Sequence, residues 1–136
     1  MKIFDQVFRL STKHRSEMID ITSQVQQFVR ECGIKAGRVN VFCPHTTAAI
    51  TINENADPDV QHDILMTLDE IFPQNRRGYR HCEHNSDSHI KSSLVGASET
   101  VLVKDTTLVL GTWQGIYFCE FDGARTRKFM VTVEGN

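Results

Sequence analysis

Short runs in which apolar residues recur at every second position extend along the chain, and they constrain the fold more than any other feature. Most of these runs follow one another after a turn of a few residues, and they outnumber the helical segments. The predicted strands are 2–10, 18–21, 38–43, 48–53, 99–103, 107–110, 115–121 and 126–134. This order predicts an α+β fold, a largely antiparallel sheet with helices packed on one face.

Three segments have helical spacing instead. The first begins at Thr22 and ends at Gly33, with apolar residues at steps of three and four. The second begins at Asp57, an acidic N-cap followed by proline, and carries one apolar stripe until Pro73. The third runs from Ser86 or Asp87 through Ile90, Leu94 and Val95 to Gly96, after a polar, partly basic loop at 74–84.

The connection between strands 38–43 and 48–53 is short. It contains Cys43-Pro44-His45-Thr46-Thr47 and predicts an antiparallel hairpin, in which Pro44 could mark a bulge. A second tight turn is predicted at Asp122-Gly123. Because no linker, repeat or low-complexity tract interrupts these elements, residues 1–136 are predicted to form a single domain.

Composition and charge lower the expectation for several function classes. The 136 residues are 40% hydrophobic and 24% charged, as in an ordinary globular domain, and the net charge is −2. A chain without a global basic field is not expected to bind nucleic acid or an anionic membrane. The sequence contains neither a membrane-length apolar run nor a signal-peptide pattern, so we expect a cytoplasmic protein. Its four scattered cysteines are then expected to be free thiols.

Polar residues of catalytic type concentrate in three places, of which the first is His45-Thr46-Thr47 with 53–57. His45 and Glu54 begin and end the hairpin region, so they need not touch each other and would each meet a third element. The alternative is structural. Threonines suit turns and strands, and 53–57 can simply be the loop that caps the next helix.

The second place, 81–89, holds His81, His84 and His89 within nine residues. Imidazole and carboxylate groups together suit zinc or another divalent ion. None of the three histidines forms an i, i+4 pair, so the segment has no zincin motif. Two alternatives stay open: the histidines act as general acids or bases, or the segment is a polar loop that leads into a capped helix.

The third place is the loop 110–115, which contains the only tryptophan of the chain. Trp113 lies between glycines, a placement that suits a ring over a ligand or a neighbouring subunit as well as one that closes an apolar edge. In the strand that follows, alternation places Glu120 on the same face as Phe118. A carboxylate there is either solvated or held for a purpose.

Motifs along essentially the whole chain resemble, in order and spacing, those of the YjbQ-like proteins, the UPF0047 family. The most specific are Gly-Thr-Trp-Gln at 111–114, Glu-Phe-Asp-Gly at 120–123 and His-Thr-Thr at 45–47; the others are at 52–54, 57–58, 85–89 and 96–98. The chain departs from the family pattern at His84, where glycine is common, and at Ala124, where proline is common.

The resemblance implies a compact α+β subunit of a homotrimer, with a site near a subunit boundary. The implied catalytic residues are His45, Glu54 and Glu120. The implied ligand-binding residues are Asn53, Asn85, Thr112, Trp113, Gln114 and Arg125. Metal ligands are expected among His45, His81 and His89, with His84 as a second choice, and the metal would be Zn²⁺ or Mg²⁺.

Members of this family are called secondary thiamine-phosphate synthase enzymes, so the resemblance implies a weak activity of that kind. The reaction joins hydroxymethylpyrimidine diphosphate to a thiazole phosphate and expels pyrophosphate, which requires charge neutralisation. Glu54 would stabilise the cation or carry a metal, Trp113 would stack on the pyrimidine, and Arg125 or Arg80 would meet phosphate. The sequence has neither a glycine-rich phosphate loop nor an Asp-rich diphosphate motif.

Two other functions fit the same residues. One is metal-dependent hydrolysis of a small phosphorylated or acyl metabolite. The other is a non-catalytic trimer that binds a small phosphorylated or heterocyclic ligand, since loops rich in Asn, His and Trp serve binding as readily as catalysis. A third hypothesis gives the histidine cluster only the role of holding the trimer together.

Overall fold

The computed structural model describes all residues, 1–136, in eight strands and three helices. Every strand pairing is antiparallel, which confirms the α+β prediction. The strands are β1 (Lys2–Ser11), β2 (Glu17–Asp20), β3 (Ala36–Phe42), β4 (Ala48–Glu54), β5 (Ser98–Lys104), β6 (Thr107–Leu108), β7 (Gln114–Glu120) and β8 (Thr126–Gly135). The helices are α1 (Thr22–Cys32), α2 (Pro58–Ile71) and α3 (Ser86–Val95).

The strands form two sheets, where the sequence predicted one. The larger sheet has the order β1-β8-β3-β5-β6, and the smaller has the order β2-β7-β4. The main core lies between the sheets and includes Ile50 and Phe118 from the small sheet, Phe129 and Val131 from the large one, and Val25 of α1. A second, smaller apolar cluster joins the other face of the small sheet to α2 and α3.

The predicted hairpin between β3 and β4 is wrong. β3 pairs with β5 on one side and β8 on the other, whereas β4 pairs with β7. Because both edges of β3 are occupied, β4 cannot join it, and residues 43–47 carry the chain from one sheet to the other instead. The backbone N–H of Cys43 donates to the carbonyl oxygen of Ala97 at 2.8 Å, next to β5 rather than within a hairpin.

Helix α3 buries its polar side rather than the apolar residues that suggested it. Leu94 is 65% exposed, whereas the buried residues of α3 are Asp87, Ser88, Lys91 and Ser92. The hydroxyl of Ser88 donates to the carbonyl oxygen of Phe121, and that of Ser92 donates to the carbonyl oxygen of Thr46. These bonds dock α3 against the ends of β4 and β7, and they satisfy polar groups that would otherwise destabilise the interior.

Helix boundaries follow the local signals closely. Gly33 ends α1 in the left-handed conformation (φ 66°), and the Asp57 carboxylate caps α2 by accepting the backbone N–H of Asp59 at 2.9 Å.

All four cysteines are free thiols, as expected. None of the helices has the length and apolar character needed to cross a membrane.

Candidate functional site

An open, shallow pocket of about 450 Å³ lies where the loop 74–84 meets the start of α3. We call it the His81 cleft, and its lining residues are Gly78, Tyr79, Arg80, His81, Ser86, His89 and Ile90. The rings of His81 and His89 lie edge to face, with their centres 5.4 Å apart. A carboxylate oxygen of Glu83 lies 3.5 Å from Nε2 of His81. The cleft therefore presents two imidazoles and a guanidinium to solvent.

A second pocket of about 280 Å³ shares a wall with the His81 cleft. We call it the Arg76 pocket, and its lining residues are Gln74, Asn75, Arg76, Arg77, Tyr79, His81, His84 and Ser86. The shared residues are Tyr79, His81 and Ser86. The positive charge of the Arg76 pocket comes from Arg76 and Arg77. The only carboxylate of the loop, Glu83, contacts His81. The two pockets thus form one cationic surface around Tyr79 and His81.

Asn85 and Arg125, both predicted to bind ligand, do come together. Asn85 immediately precedes α3 and donates from Nδ2 to Asp122 at 2.8 Å, and Arg125 donates to the same carboxylate oxygen at 3.0 Å. Asn85 is 5% exposed, and its Oδ1 has no hydrogen-bond partner. A buried amide oxygen without a donor is costly, so this position suits a ligand N–H or O–H or an ordered water.

Charged residues behind the first turn of α3 form a network around the buried pair Asp87 and Lys91. The guanidinium of Arg15 makes two 3.0 Å hydrogen bonds to the carboxylate of Asp87, which also accepts from Lys91 at 2.9 Å. Lys91 reaches Asp69 of α2 as well. Burial raises the pKa of Asp87, but the hydrogen bonds from Arg15 and Lys91 outweigh it and leave that pKa below its ordinary value. The network holds α3 rigidly beside the His81 cleft.

Glu120, predicted to be catalytic, is fully buried between the sheets and has no free oxygen. Arg127 donates to both carboxylate oxygens, Thr12 donates to one of them at 2.7 Å, and two backbone N–H groups donate to the other. Burial raises the pKa of Glu120, but these hydrogen bonds outweigh it, so the pKa lies below its ordinary value. In this arrangement Glu120 positions neighbouring segments and offers no oxygen to a substrate.

His45 is also held by the protein. Its Nε2 lies 3.0 Å from the backbone nitrogen and 3.1 Å from the carbonyl oxygen of Lys128, and its ring lies edge-on to Phe118, with the ring centres 6.4 Å apart. Burial and the charge of Arg127 lower the pKa of His45. The ring is therefore held against the backbone of β8 at Lys128.

The remaining predicted residues lie at the far end of the small sheet. Glu54 is paired with Gln114 in the β4–β7 ladder, and the backbone N–H of Asn55 donates to the carbonyl oxygen of Trp113 at 2.9 Å. Gln114 begins β7 and Glu120 ends it, so this end lies about 20 Å along the strand from Glu120. Within one chain the predicted site is therefore divided, and the group at the far end is Asn53, Glu54, Thr112, Trp113 and Gln114.

The expected metal ligands do not form one group. His81 and His89 are neighbours, but His45 contacts Lys128 and Phe118, and His84 lines only the Arg76 pocket. No three His, Cys, Asp or Glu side chains of the chain are arranged to hold an ion. A catalytic zinc site takes three protein ligands. In the His81 cleft one chain supplies only two imidazoles, so a catalytic zinc site there would need a third protein ligand.

Sequence reasoning did not assign roles to Arg15, Asp87, Lys91 or Arg127. The sequence does contain a signal for Asp87 and Lys91, because they are an acid–base pair at i, i+4. No local signal identifies Arg15 or Arg127, whose partners are 72 and 7 residues away in the chain. The pairing of Arg127 with Glu120 depends on how the two sheets are packed.

Comparison with known proteins identifies the family of the chain. The family model described as UPF0047 protein YjbQ-like matches residues 6–136. The chain belongs to the YjbQ-like UPF0047 family. The UPF0047 protein YugU of Bacillus subtilis is 53% identical over 130 residues, covering 96% of this chain and 98% of YugU. The UPF0047 protein MJ1081 of Methanocaldococcus jannaschii is 50% identical, covering 95% of this chain and 93% of that protein.

Solved structures of UPF0047 proteins have the same fold. A conserved protein of this family from Clostridium acetobutylicum superposes with a TM-score of 0.93 at 52% identity, covering 95% of this chain and 99% of the other. A YbjQ-like protein from Sulfolobus solfataricus gives a TM-score of 0.95 at 35% identity, with 99% of both chains covered, and is described as of unknown function. These likenesses establish the family and the fold and name no reaction.

Proposed function

We propose that this UPF0047 protein is an enzyme that acts on a small phosphorylated metabolite in the His81 cleft. The observation that carries the proposal is the contact between the His81 and His89 rings, 5.4 Å apart, in an open pocket that also contains Arg80. Two imidazoles in direct contact can both reach a group that binds against them, and a guanidinium binds the oxygens of a phosphate in a bidentate manner.

Each part of the cleft has a task in such a reaction. Arg80 holds the phosphate oxygens, and the face of Tyr79 offers an apolar surface for the rest of the metabolite. In hydrolysis, one imidazole accepts a proton from the attacking water while the P–O bond to the leaving oxygen breaks, and the other imidazole donates a proton to that oxygen. At the start of α3, the backbone N–H groups of Ser86 and Asp87 have no intrahelical partner, whereas those of Ser88 and His89 donate to the carbonyl oxygen of Asn85.

The substrates of the thiamine-phosphate synthase reaction belong to the same class of small phosphorylated metabolites. Hydroxymethylpyrimidine diphosphate loses pyrophosphate, and the thiazole nitrogen attacks the freed methylene carbon. Both reactants carry phosphate, so the same cationic surface serves hydrolysis and transfer. Mg²⁺ accompanies such phosphates in solution and belongs in the assay, because protein sites hold it through substrate phosphates and few carboxylates.

The test is a turnover screen with the purified chain. Phosphate and pyrophosphate release are measured with a panel of phosphate monoesters and with the two thiamine-phosphate precursors, with and without Mg²⁺. We expect His81→Gln, His89→Gln and Arg80→Gln each to lower kcat/KM by about 100-fold or more. His14→Gln, an exposed histidine that lines neither pocket, serves as the matched control. Absence of turnover in the parent protein, or full turnover in His81→Gln, would contradict the proposal.

We also propose that the chain forms the homotrimer that its family resemblance implies. The large sheet supports this, because its outer face exposes Val7, Met130 and Phe42, which are direct register neighbours on three adjacent strands. Light scattering on the parent should give three times the 15.5 kDa chain mass. Met130→Lys should lower that mass, whereas Met66→Lys on α2 should not. A monomeric parent would contradict the proposal.

A further inference from the structure

We infer that the Arg76 pocket is a second oxyanion subsite, so that the ligand of this protein carries two phosphoryl groups, as a diphosphate or a bisphosphate. The inference rests on the proposed function, which supplies the first phosphate at Arg80. It adds a site formed by Arg76, Arg77 and His84 on the other side of the wall made by Tyr79, His81 and Ser86.

The charge balance of the loop supports this assignment. Of the six arginines outside the loop, four pair with a carboxylate, namely Arg15, Arg38, Arg125 and Arg127, whereas Arg9 and Arg30 stand singly on β1 and α1 without one. In the loop, no carboxylate oxygen lies within 4.0 Å of Arg76, Arg77 or Arg80, and the three follow one another within five residues. Three unpaired guanidiniums within five residues repel one another in the free protein. A polyanionic ligand removes that repulsion and satisfies their fork-shaped donors.

The pocket is preformed rather than a random surface of mobile arginines. The side-chain amide of Gln74 donates to the backbone carbonyl oxygen of His84 at 3.0 Å, which joins the two ends of the loop. Inside the loop, the backbone N–H of Tyr79 donates to the carbonyl oxygen of Arg76 at 3.3 Å. Pre-organisation lowers the entropic cost of ligand binding, so a weakly concave site of this kind gains affinity from it.

Two further observations point to the same wall. The hydroxyl of Tyr79 is shielded from solvent and has no hydrogen-bond partner, although its residue lines both pockets. A ligand oxygen at the wall would accept a hydrogen bond from the Tyr79 hydroxyl. His84 occupies a left-handed backbone position (φ 59°) that glycine adopts at lower cost, and its side chain lines the Arg76 pocket. The imidazole of His84 thus adds one more hydrogen-bond donor for an anion, beside those of the guanidiniums.

The number of donors favours phosphoryl groups over a single carboxylate. One carboxylate is satisfied by one guanidinium, whereas the loop offers three guanidiniums and the imidazoles of His81 and His84 in two adjoining pockets. Diphosphate has oxygens on two linked phosphorus atoms, so it reaches both sides of the shared wall. Orthophosphate fills one side only.

The test is calorimetric titration of the parent chain with orthophosphate and with pyrophosphate at fixed ionic strength. We expect pyrophosphate to bind about tenfold more tightly or better, since each added charge-assisted contact contributes to affinity. Arg76→Gln with Arg77→Gln should remove that preference and leave orthophosphate affinity unchanged. Arg80→Gln should weaken both ligands. Arg30→Gln, an exposed arginine of α1 that lines neither pocket, is the matched control, and circular dichroism checks the fold of every variant.

The outcomes separate this inference from the proposed function. If the Arg76/Arg77 variant keeps the pyrophosphate preference while Arg80→Gln loses both ligands, the second subsite is overturned and the His81 cleft still stands. If the Arg76/Arg77 variant loses the preference and Arg80→Gln weakens both anions, but the parent turns over no phosphorylated substrate, the second subsite stands and the proposed enzymatic function fails. Equal binding of both anions by the parent overturns the inference directly.

Discussion

Arg127 joins the two sheets through Glu120, with Nε of the guanidinium 2.8 Å from Oε1 of the carboxylate and both side chains buried. The same guanidinium donates to the hydroxyl of Thr47 at 2.8 Å, just before β4. Thr12, beyond the end of β1, donates to the same carboxylate oxygen of Glu120 at 2.7 Å. One ion pair thus ties together segments that are far apart in the chain, at the end of the molecule where α3 docks.

Breaking this pair should strongly destabilise the protein. Arg127→Met leaves the Glu120 carboxylate buried without its main partner, and we expect the free energy of unfolding in urea to fall by about 3–5 kcal/mol. Glu120→Leu together with Arg127→Met should be less damaging than Arg127→Met alone, because neither charge is then left unpaired. A loss of about 1 kcal/mol or less in Arg127→Met, typical of surface pairs, would contradict this account.

Acid should destabilise the protein through Glu120 and Asp87. Hydrogen bonds to both carboxylates hold their pKa values below the ordinary 4.5 and 3.8. A lowered folded-state pKa gives stability that is present above the unfolded pKa and is lost as the pH falls through the folded one. Urea unfolding followed from about pH 7 to about pH 3 should therefore show a decline that begins near the ordinary carboxylate pKa values. Glu120→Gln should have a shallower decline, and an unchanged one would contradict the role of Glu120.

His84→Gly should stabilise the chain while weakening anion binding. Removing a side chain from a left-handed position should raise the free energy of unfolding by about 0.5–1 kcal/mol. Thr106→Gly is the matched control. Thr106 has φ 58° in the two-residue turn between β5 and β6, so it should give a similar gain with pyrophosphate affinity unchanged. Equal pyrophosphate affinity in His84→Gly and the parent would remove His84 from the proposed subsite.

The thiols should react in an order set by burial. Cys82 is exposed, whereas Cys43 and Cys119 are buried, and burial raises the pKa of the Cys119 thiol to about 12. Because the thiolate is the reacting species, a native-state alkylating agent should label Cys82 first and reach Cys119 only after unfolding. Peptide mass spectrometry after timed labelling measures this order. Early labelling of Cys119 in the folded protein would contradict the packing of the small sheet against α2 and α3.

Local patterns predicted most of the elements because they depend on neighbours in the chain. The bounds of α1 follow from helical spacing and Gly33, and those of α2 from Asp57 and Pro58. β7 appears at nearly its predicted position, and Phe118 and Glu120 share the face that alternation predicts. The sequence also located the third helix, but it did not predict which side of that helix is buried. A short helix with a narrow apolar stripe does not reveal that its polar side faces inward.

The sequence by itself determined the class of fold, the positions of the strands and helices, the family, and the loop that carries the histidines. Only the tertiary structure decided that the strands form two sheets, that β3 and β4 lie in different ones, and that Glu120 is occupied by Arg127 rather than free for chemistry. It also divided the predicted site, with Glu54 and Trp113 at one end of the small sheet and the histidine loop beside α3 near the other. Strand alternation specifies which face a side chain points to, but pairing between strands depends on edges and partners distant in the chain, which local periodicity does not encode.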